Sequence, residues 1–303
     1  MRNITLSGAP ASGKSTVGKL LEEALEIPLV SAGQVMRSFA HDQGVSVLEF
    51  GKIARENGTY DQQVDDGLRA LASENLPKIV DSRMGWHWFP DSLSCFFVVD
   101  PWVAAERAEA RAGQTSEEYA DEASAFAGTV QRNKRDQLRF QSRYNVDIGR
   151  LRNYDMVIDT TRADPSEIVR IIRDAYLSEN RDPSAPMLWL DPRRIYPTED
   201  IRTLRSVDEA TMDALTNSEF LAANPVAVSY SAPHFLLLDG HKRLSSCIMR
   251  GLKLIPARLI GEDSDAIRNG STADELQSEA FDDPTSIYDW ESAHQYRLWI
   301  PPR

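Results

Sequence analysis

Cysteine, positive charge and long apolar runs are all scarce in this 303-residue chain. Its two cysteines, Cys95 and Cys247, lack any close Cys or His spacing, which gives neither a disulfide framework nor a zinc site and suits a reducing compartment. Lys and Arg number 34 against 46 Asp and Glu, a formal net charge of −12. Nucleic-acid affinity comes mainly from cations that neutralise phosphates, so this balance argues against a nucleic-acid partner while leaving room for a local basic pocket. The deficit is uneven. Between Glu262 and Arg303 ten acids face three arginines, which is seven of the twelve net negative charges. Trp290, Tyr296 and Trp299 interrupt those acids, a mixture that packs rings inward and leaves the acids in water. No apolar stretch is long enough to span a bilayer, and Met1-Arg2-Asn3 enters a strand without a signal-peptide pattern. A cytoplasmic protein without a membrane partner is expected, long enough for two domains that each bury a core.

What is present is concentrated near the start. Gly8 to Thr16 reads Gly-Ala-Pro-Ala-Ser-Gly-Lys-Ser-Thr, between the apolar run Ile4 to Leu6 and the amphipathic run Val17, Leu20, Leu21 and Leu25. Strand, glycine-rich loop and helix in that order are the context of a phosphate-binding loop. Gly8, Ala11, Ser12, Gly13 and Thr16 are expected to line the phosphates of ATP with backbone N–H groups. Lys14 adds a point charge on the β and γ groups, and Ser15 gives a hydroxyl to Mg²⁺.

Beyond the loop, short apolar runs alternate with helical patterns, the signature of a parallel sheet flanked by helices. The strands are read at Ile4–Ser7, Pro28–Ser31, Lys78–Asp81, Cys95–Val99 and Met156–Asp159. Ligands of such sheets bind at the carboxyl ends of the strands, which singles out Ser31, Asp81 and Asp100. Asp81 is the candidate to orient Mg²⁺ or its waters, a helix cap being the plainer reading. Gly33 permits close backbone approach, and Arg37 and Arg83 can each hold a phosphate through two parallel hydrogen bonds. From Ser116 to Tyr144 a charged helix carries Arg132, Lys134, Arg135, Arg139 and Arg143. It is either a lid over the triphosphate or a solvated face balanced by Glu117, Glu118, Asp121 and Glu122.

These residues, with Leu48-Glu49-Phe50-Gly51-Lys52, Arg107 with Arg111, Arg143 to Asp147 and Tyr154 to Thr160, resemble the archaeal-type cytidylate kinases over roughly residues 1–178. The resemblance implies a nucleoside monophosphate kinase in which Arg37 and Arg83 hold the acceptor monophosphate. It also implies that Arg132, Arg135 and Arg139 contact ATP or the transferring group. Ser82 replaces the family's usual Gly, and Trp86, His87, Trp88 and Phe89 make the next loop unusually aromatic.

Ser178 to Pro186, polar and with two prolines, reads as a linker. After it come strands at Leu188–Leu190, Val226–Val228 and Phe235–Leu238, a helix from Asp208, then Asp239-Gly240-His241-Lys242-Arg243, a helix over Leu244–Arg250 and a strand over Ile255–Ile260. Asp239 to Arg243 is either an anion-binding turn or a tight turn in water. The segment resembles the ParB and sulfiredoxin superfamily, and within it the free serine kinases, through Pro197-Thr198-Glu199 and Asp239, Gly240, His241 and Arg243. That resemblance implies Glu199 as general base, His241 and Arg243 as phosphate ligands and Asp239 as a metal or hydroxyl partner; Lys242 departs from the pattern.

The expected fold is therefore α/β, a phosphate-loop kinase domain over 1–178 with a smaller α+β ParB-like domain over 187–303. The expected activity is an ATP- and Mg²⁺-dependent phosphotransferase acting on a nucleoside monophosphate, CMP or dCMP by default, with serine as acceptor for the second domain. The competing expectation is a nucleotide-binding regulator whose second domain only binds nucleotide or a partner.

Overall fold

In the computed structural model, which describes residues 2–45, 60–110, 121–178, 185–204, 206–268 and 270–298, the chain forms two compact units. The first comprises Met1–Ile148 and Asp164–Arg181, the second Gly149–Ala163 and Asp182–Arg303. Leu48 to Lys52, Arg111, Glu117, Glu118 and Trp299 lie outside the described residues. Among the described residues no helix is long and apolar enough to cross a membrane.

The first unit runs β1 (Ile4–Gly8), α1 (Lys14–Leu25), β2 (Leu29–Ser31), α2 (Ala32–Asp42), α3 (Tyr60–Ala72), β3 (Ile79–Asp81), α4 (Gly85–Trp88), β4 (Leu93–Val98), α5 (Pro101–Glu109) and α6 (Glu122–Tyr144), and ends with α7 (Pro165–Leu177). Its strands lie in the order β2-β3-β1-β4, each pair parallel. Parallel strands are covered on both faces, and β1 is buried along its whole length. Val17, Gly18 and Leu21 face α1 inward; a side chain at Gly18 would meet Leu29 Cδ1 at 3.0 Å, so glycine sets how closely helix and sheet pack. Ile168, Ile171, Ile172 and Tyr176 form the buried stripe of α7 at helical spacing, and Tyr176 donates its hydroxyl to the Arg2 carbonyl at 2.8 Å. Register then does the positioning. Leu6 and Ser31 both pair with Asp81, so the loop after β1, the end of β2 and the end of β3 share one edge of the sheet.

The second unit holds β5 (Met156–Asp159), β6 (Met187–Leu190), β7 (Ile195–Tyr196), α8 (Glu209–Thr216), α9 (Ser218–Ala223), β8 (Val226–Ser231), β9 (His234–Asp239), α10 (His241–Met249), β10 (Ile255–Glu262), β11 (Ala266–Arg268), β12 (Ser271–Thr272), α11 (Ala273–Asp282) and α12 (Thr285–His294). Its main sheet has the order β5-β6-β10-β8-β9-β7 and mixes parallel with antiparallel pairs. The sequence reading groups Met156–Asp159 with the first domain. The strand instead clusters with the second unit, because it pairs in parallel with Met187–Trp189. Helix α10 starts at His241, three residues before the expected Leu244, because Gly240 takes a left-handed conformation at φ 104° and turns the chain directly into the helix. The acidic tail packs Trp290 fully inside, as its aromatic content implies, yet Glu262 and Glu291 are buried too. Glu262 accepts from Leu151 N at 2.7 Å, and Glu291 from Leu298 N at 2.5 Å.

Two ion pairs anchor the start of this sheet. Arg194 Nη1 donates to Asp159 at 2.8 Å, and Arg162 grips Asp191 through Nε and Nη2, both at 2.6 Å. Burial is the largest influence on Asp159 and raises its pKa above the carboxylate norm, against the pull of Arg194. A raised native pKa means the folded state keeps the proton to higher pH than the unfolded chain, so stability falls as pH rises through that range. Arg194→Met leaves the carboxylate uncompensated and is expected to cost about 3–5 kcal/mol at neutral pH. The deficit should shrink as pH falls below the ordinary carboxylate value of about 3.9, where Asp159 becomes protonated in both states; urea unfolding at about pH 7 and about pH 3 measures it, and a pH-independent deficit would exclude this account.

Candidate active site

The loop from Gly8 to Gly13 is held open by backbone geometry. Gly8 sits at φ 137°, where a Cβ would lie 2.4 Å from the Phe97 carbonyl oxygen, so no other residue fits. Ala11 (φ 58°) and Gly13 (φ 86°) are left-handed as well, and Gly13 precedes α1 without any side-chain cap. The positive end of α1 therefore faces the loop rather than a capping oxygen. Lys14 lies across the loop, its Nζ donating to the carbonyls of Gly8 at 2.9 Å and Ala9 at 2.7 Å and to Ser12 Oγ at 3.3 Å. Ser15 Oγ donates to Asp81 Oδ2 at 2.9 Å. A hydroxyl and a carboxylate, hard oxygen donors side by side next to a phosphate loop, fit Mg²⁺.

Of the other strand-end residues, Ser31 and Asp100 are helix caps. Ser31 forms a capping box with Gln34 on α2, and Asp100 accepts from Trp102 N at 2.8 Å at the start of α5. Gly33 and Arg37 are exposed on α2, with the Arg37 guanidinium 3.6 Å from where a Gly33 Cβ would sit.

Arg83 points elsewhere. It forms an ion pair with Asp136 of α6, both side chains largely buried, in a cavity of about 620 Å³. Arg132, Arg139 and Arg143 also line that cavity, whereas Arg37 and Arg135 do not. On α6 the stripe Arg132, Asp136, Arg139 or Phe140, Arg143 repeats at three and four residues and faces one way; Arg135 falls on the exposed side. Asp136 and Phe140, absent from the expected site, were legible in that spacing.

The aromatic loop completes the wall. Trp88 lines the cavity while Phe89 enters the core. Tyr144 meets Trp88 edge-on at 6.2 Å and Phe140 at 5.9 Å, and Arg69 lies over the Trp88 ring at 4.2 Å. The Tyr144 hydroxyl donates to Asp65, a buried carboxylate on the cavity wall. Burial first, then that bond, push the Tyr144 phenol up to about 12.

In the second unit Glu199 and His241 do meet. His241 is buried at the start of α10, and its Nε2 accepts from the backbone N–H groups of Thr198 and Glu199, both at 3.2 Å. Nδ1 then carries the proton, 3.6 Å from the half-exposed Glu199 carboxylate. Burial lowers the His241 pKa, so the ring is neutral at pH 7. Asp239 and Gly240 border the same turn, and a Cβ at Gly240 would press Val226 Cγ1 at 2.9 Å. Arg243 is engaged within the fold, donating to the carbonyls of Asn224 at 2.5 Å and Pro225 at 2.9 Å and to Asp239 at 2.6 Å.

A loop of backbone donors and an ammonium, facing a hydroxyl and a carboxylate and neighboured by an arginine-lined cavity, is machinery for binding a polyphosphate and moving its terminal group. It defines the first unit as a phosphate-loop phosphotransferase. Residues 3–162 match the cytidylate kinase-like family, and the chain belongs to it. Cytidylate kinase of Methanococcoides burtonii is 31% identical over 172 residues, 57% of this chain and 95% of that enzyme. Its counterpart in Methanosarcina barkeri is 33% identical over 175 residues, 57% of this chain and 94% of the enzyme. An S-adenosylmethionine-dependent nucleotide dehydratase of Lacinutrix mariniflava is 32% identical over 178 residues, 58% of this chain but only 36% of that longer protein. The chain is a kinase, with ATP the donor that its family implies.

Replacing Asp81 by Asn keeps the shape beside Ser15 and removes the charge. Affinity for ATP in the presence of Mg²⁺ should fall about 10–100-fold, while affinity in EDTA stays unchanged. Calorimetric titration under both conditions measures this, and an equal loss in both would remove the metal role.

Proposed function

We propose that the first unit phosphorylates a nucleoside monophosphate, CMP or dCMP by default, with ATP and Mg²⁺. The observation that carries this reading is the cavity: arginines and aromatic rings share one wall of a space whose size suits a nucleotide. Lys14 and the loop N–H groups bind and orient the β and γ phosphates. Ser15 and Asp81 hold Mg²⁺, which when bound offsets charge on the transferring group. Arg83, with Arg37 from α2, takes the acceptor phosphate, and Arg132 and Arg139 neutralise charge from α6. Phosphoryl transfer needs little covalent help from the protein, so positioning and charge carry the rate. Lys14→Ala should abolish ADP formation with every acceptor; phosphorus NMR after incubation of the full chain with ATP, Mg²⁺ and a panel of nucleoside monophosphates reads it out. Full activity in that variant would end the assignment.

For the second unit the reading is a ParB-like phosphotransfer site for a free hydroxy amino acid such as serine. Its support is the fixed base: His241 pins the backbone of Thr198 and Glu199, leaving the Glu199 carboxylate at the surface to accept a hydroxyl proton. The internal engagement of Arg243 favours instead a module that binds nucleotide or a partner without chemistry. Glu199→Ala and His241→Ala should each eliminate phosphorylated amino acid while sparing nucleoside diphosphate formation. Mass spectrometry that detects no phosphorylated amino acid in the wild type, with ATP or ADP as donor, leaves the binding module.

A further inference from the structure

Apart from Glu199 and His241, the second unit holds a serine and a histidine in direct hydrogen-bond contact. Ser245 is half-buried in the middle of α10, and its Oγ lies 2.8 Å from Nε2 of His294 on α12. A helical serine often returns its hydroxyl to the carbonyl one turn back, whereas this one reaches across to a second helix. The imidazole is held in one tautomer. Its Nδ1 is 3.0 Å from the Trp290 carbonyl, a group that only accepts, so Nδ1 carries the proton and Nε2 presents a lone pair to which Ser245 donates. Burial above all holds the His294 pKa below the ordinary imidazole value, with the Arg193 charge pulling the same way against the Trp290 bond, so the ring is neutral at pH 7. Nucleophile, base and orienting carbonyl are thus joined in that order.

A cation completes the group. Helix α10 packs on the turn Pro192–Arg194 as well as on α12. The Arg193 guanidinium lies over the Tyr296 ring at 5.6 Å, that ring is 6.3 Å from the His294 ring, and Arg193 Nε is buried with no hydrogen-bond partner. An orphaned buried donor on a cation is costly unless an anionic group meets it. Tyr296 also lines a cavity of about 260 Å³ with Glu291, Ser292, Gln295 and Arg297, room enough for a phosphoryl group; the Glu291 carboxylate is already met by Arg297 at 3.1 Å and by the Leu298 N–H at 2.5 Å. We propose that Ser245 is a self-phosphorylation site of this kinase, with His294 as general base, Arg193 as the cation for the transferred group and ATP as donor. Ser245 Oγ bonds to the γ-phosphorus, the bond from that phosphorus to the β,γ-bridging oxygen breaks, and ADP leaves with the electron pair while the hydroxyl proton passes to Nε2. The imidazolium so formed keeps its Trp290 bond and, with Arg193, offsets the charge of the new phosphate. The step needs only the ATP that the family implies, whichever acceptor the first unit takes.

Incubation of the full chain with γ-radiolabelled ATP and Mg²⁺, followed by peptide mass spectrometry, tests this, with circular dichroism confirming the fold of each variant. The wild type should carry phosphate at Ser245, and Ser245→Ala should lose it. His294→Gln keeps an acceptor for the serine hydroxyl but cannot hold its proton, and Arg193→Met removes the cation; labelling at Ser245 should fall about 100-fold in each. A hydrogen bond that only ties α10 to α12 gives no label in the wild type, and that result overturns the proposal. Equal labelling in the wild type and a folded His294→Gln overturns it as well; Arg193→Met decides in the same way should His294→Gln not fold.

Discussion

The Phe97 carbonyl leaves no space for a side chain at position 8, and the first unit is arranged around that contact. Because β4 lies directly against β1, the chain leaving β1 must turn over it with a bare backbone, and the left-handed residues Ala11 and Gly13 continue the turn into α1. A loop made this way has its polar groups pointing inward by necessity. Parallel pairing of β1 and β2 with β3 then brings Asp81 to the same edge, so one hydrogen bond from Ser15 joins the loop to the acid without any long side chain having to reach. Neither residue relies on a flexible stem. A pair of oxygen donors built from short side chains on packed strands and helices is held by the fold itself.

Electrostatics in the cavity follow a second rule. The chain is strongly acidic, yet α6 gathers cations on its inward stripe and balances them locally with Asp136, which pairs with a largely buried Arg83 and orients it. Net charge says little about such a pocket, because a few cations with low-dielectric walls govern the local field.

Much of the first unit was legible in the sequence because its signals are local. The phosphate loop and the strand ends each follow from spacing within a dozen residues. Asp81 opposite Ser15 was also readable, since a polar residue ending a parallel strand has few places to be. What escaped is long-range. Asp65 carries no motif in the sequence, and only its approach to Tyr144 and to the cavity that Trp88 lines sets it apart. Arg135 was grouped with its neighbours by composition, although helical phase turns it to solvent. In the second unit the meeting of Glu199 with His241 was implied by the resemblance to the free serine kinases, but the capture of Arg243 by the carbonyls of Asn224 and Pro225 depends on how β8 begins, which no local pattern records.

The path of the backbone has a consequence of its own. Met156–Asp159 lies with the second unit while the helix that follows it, Pro165–Leu177, returns to the first, so the chain passes between the units three times. Two bodies joined by one crossing can be severed by a single protease cut or a single stop codon, and each piece keeps its hydrogen bonds. Severing this chain after α7 would strip β5 of the strand it pairs with and leave a row of unpaired amides and carbonyls along a buried, apolar segment. The kinase unit and its companion are in that sense stitched rather than strung together, and gene truncation is a poorer route to either half than point substitution.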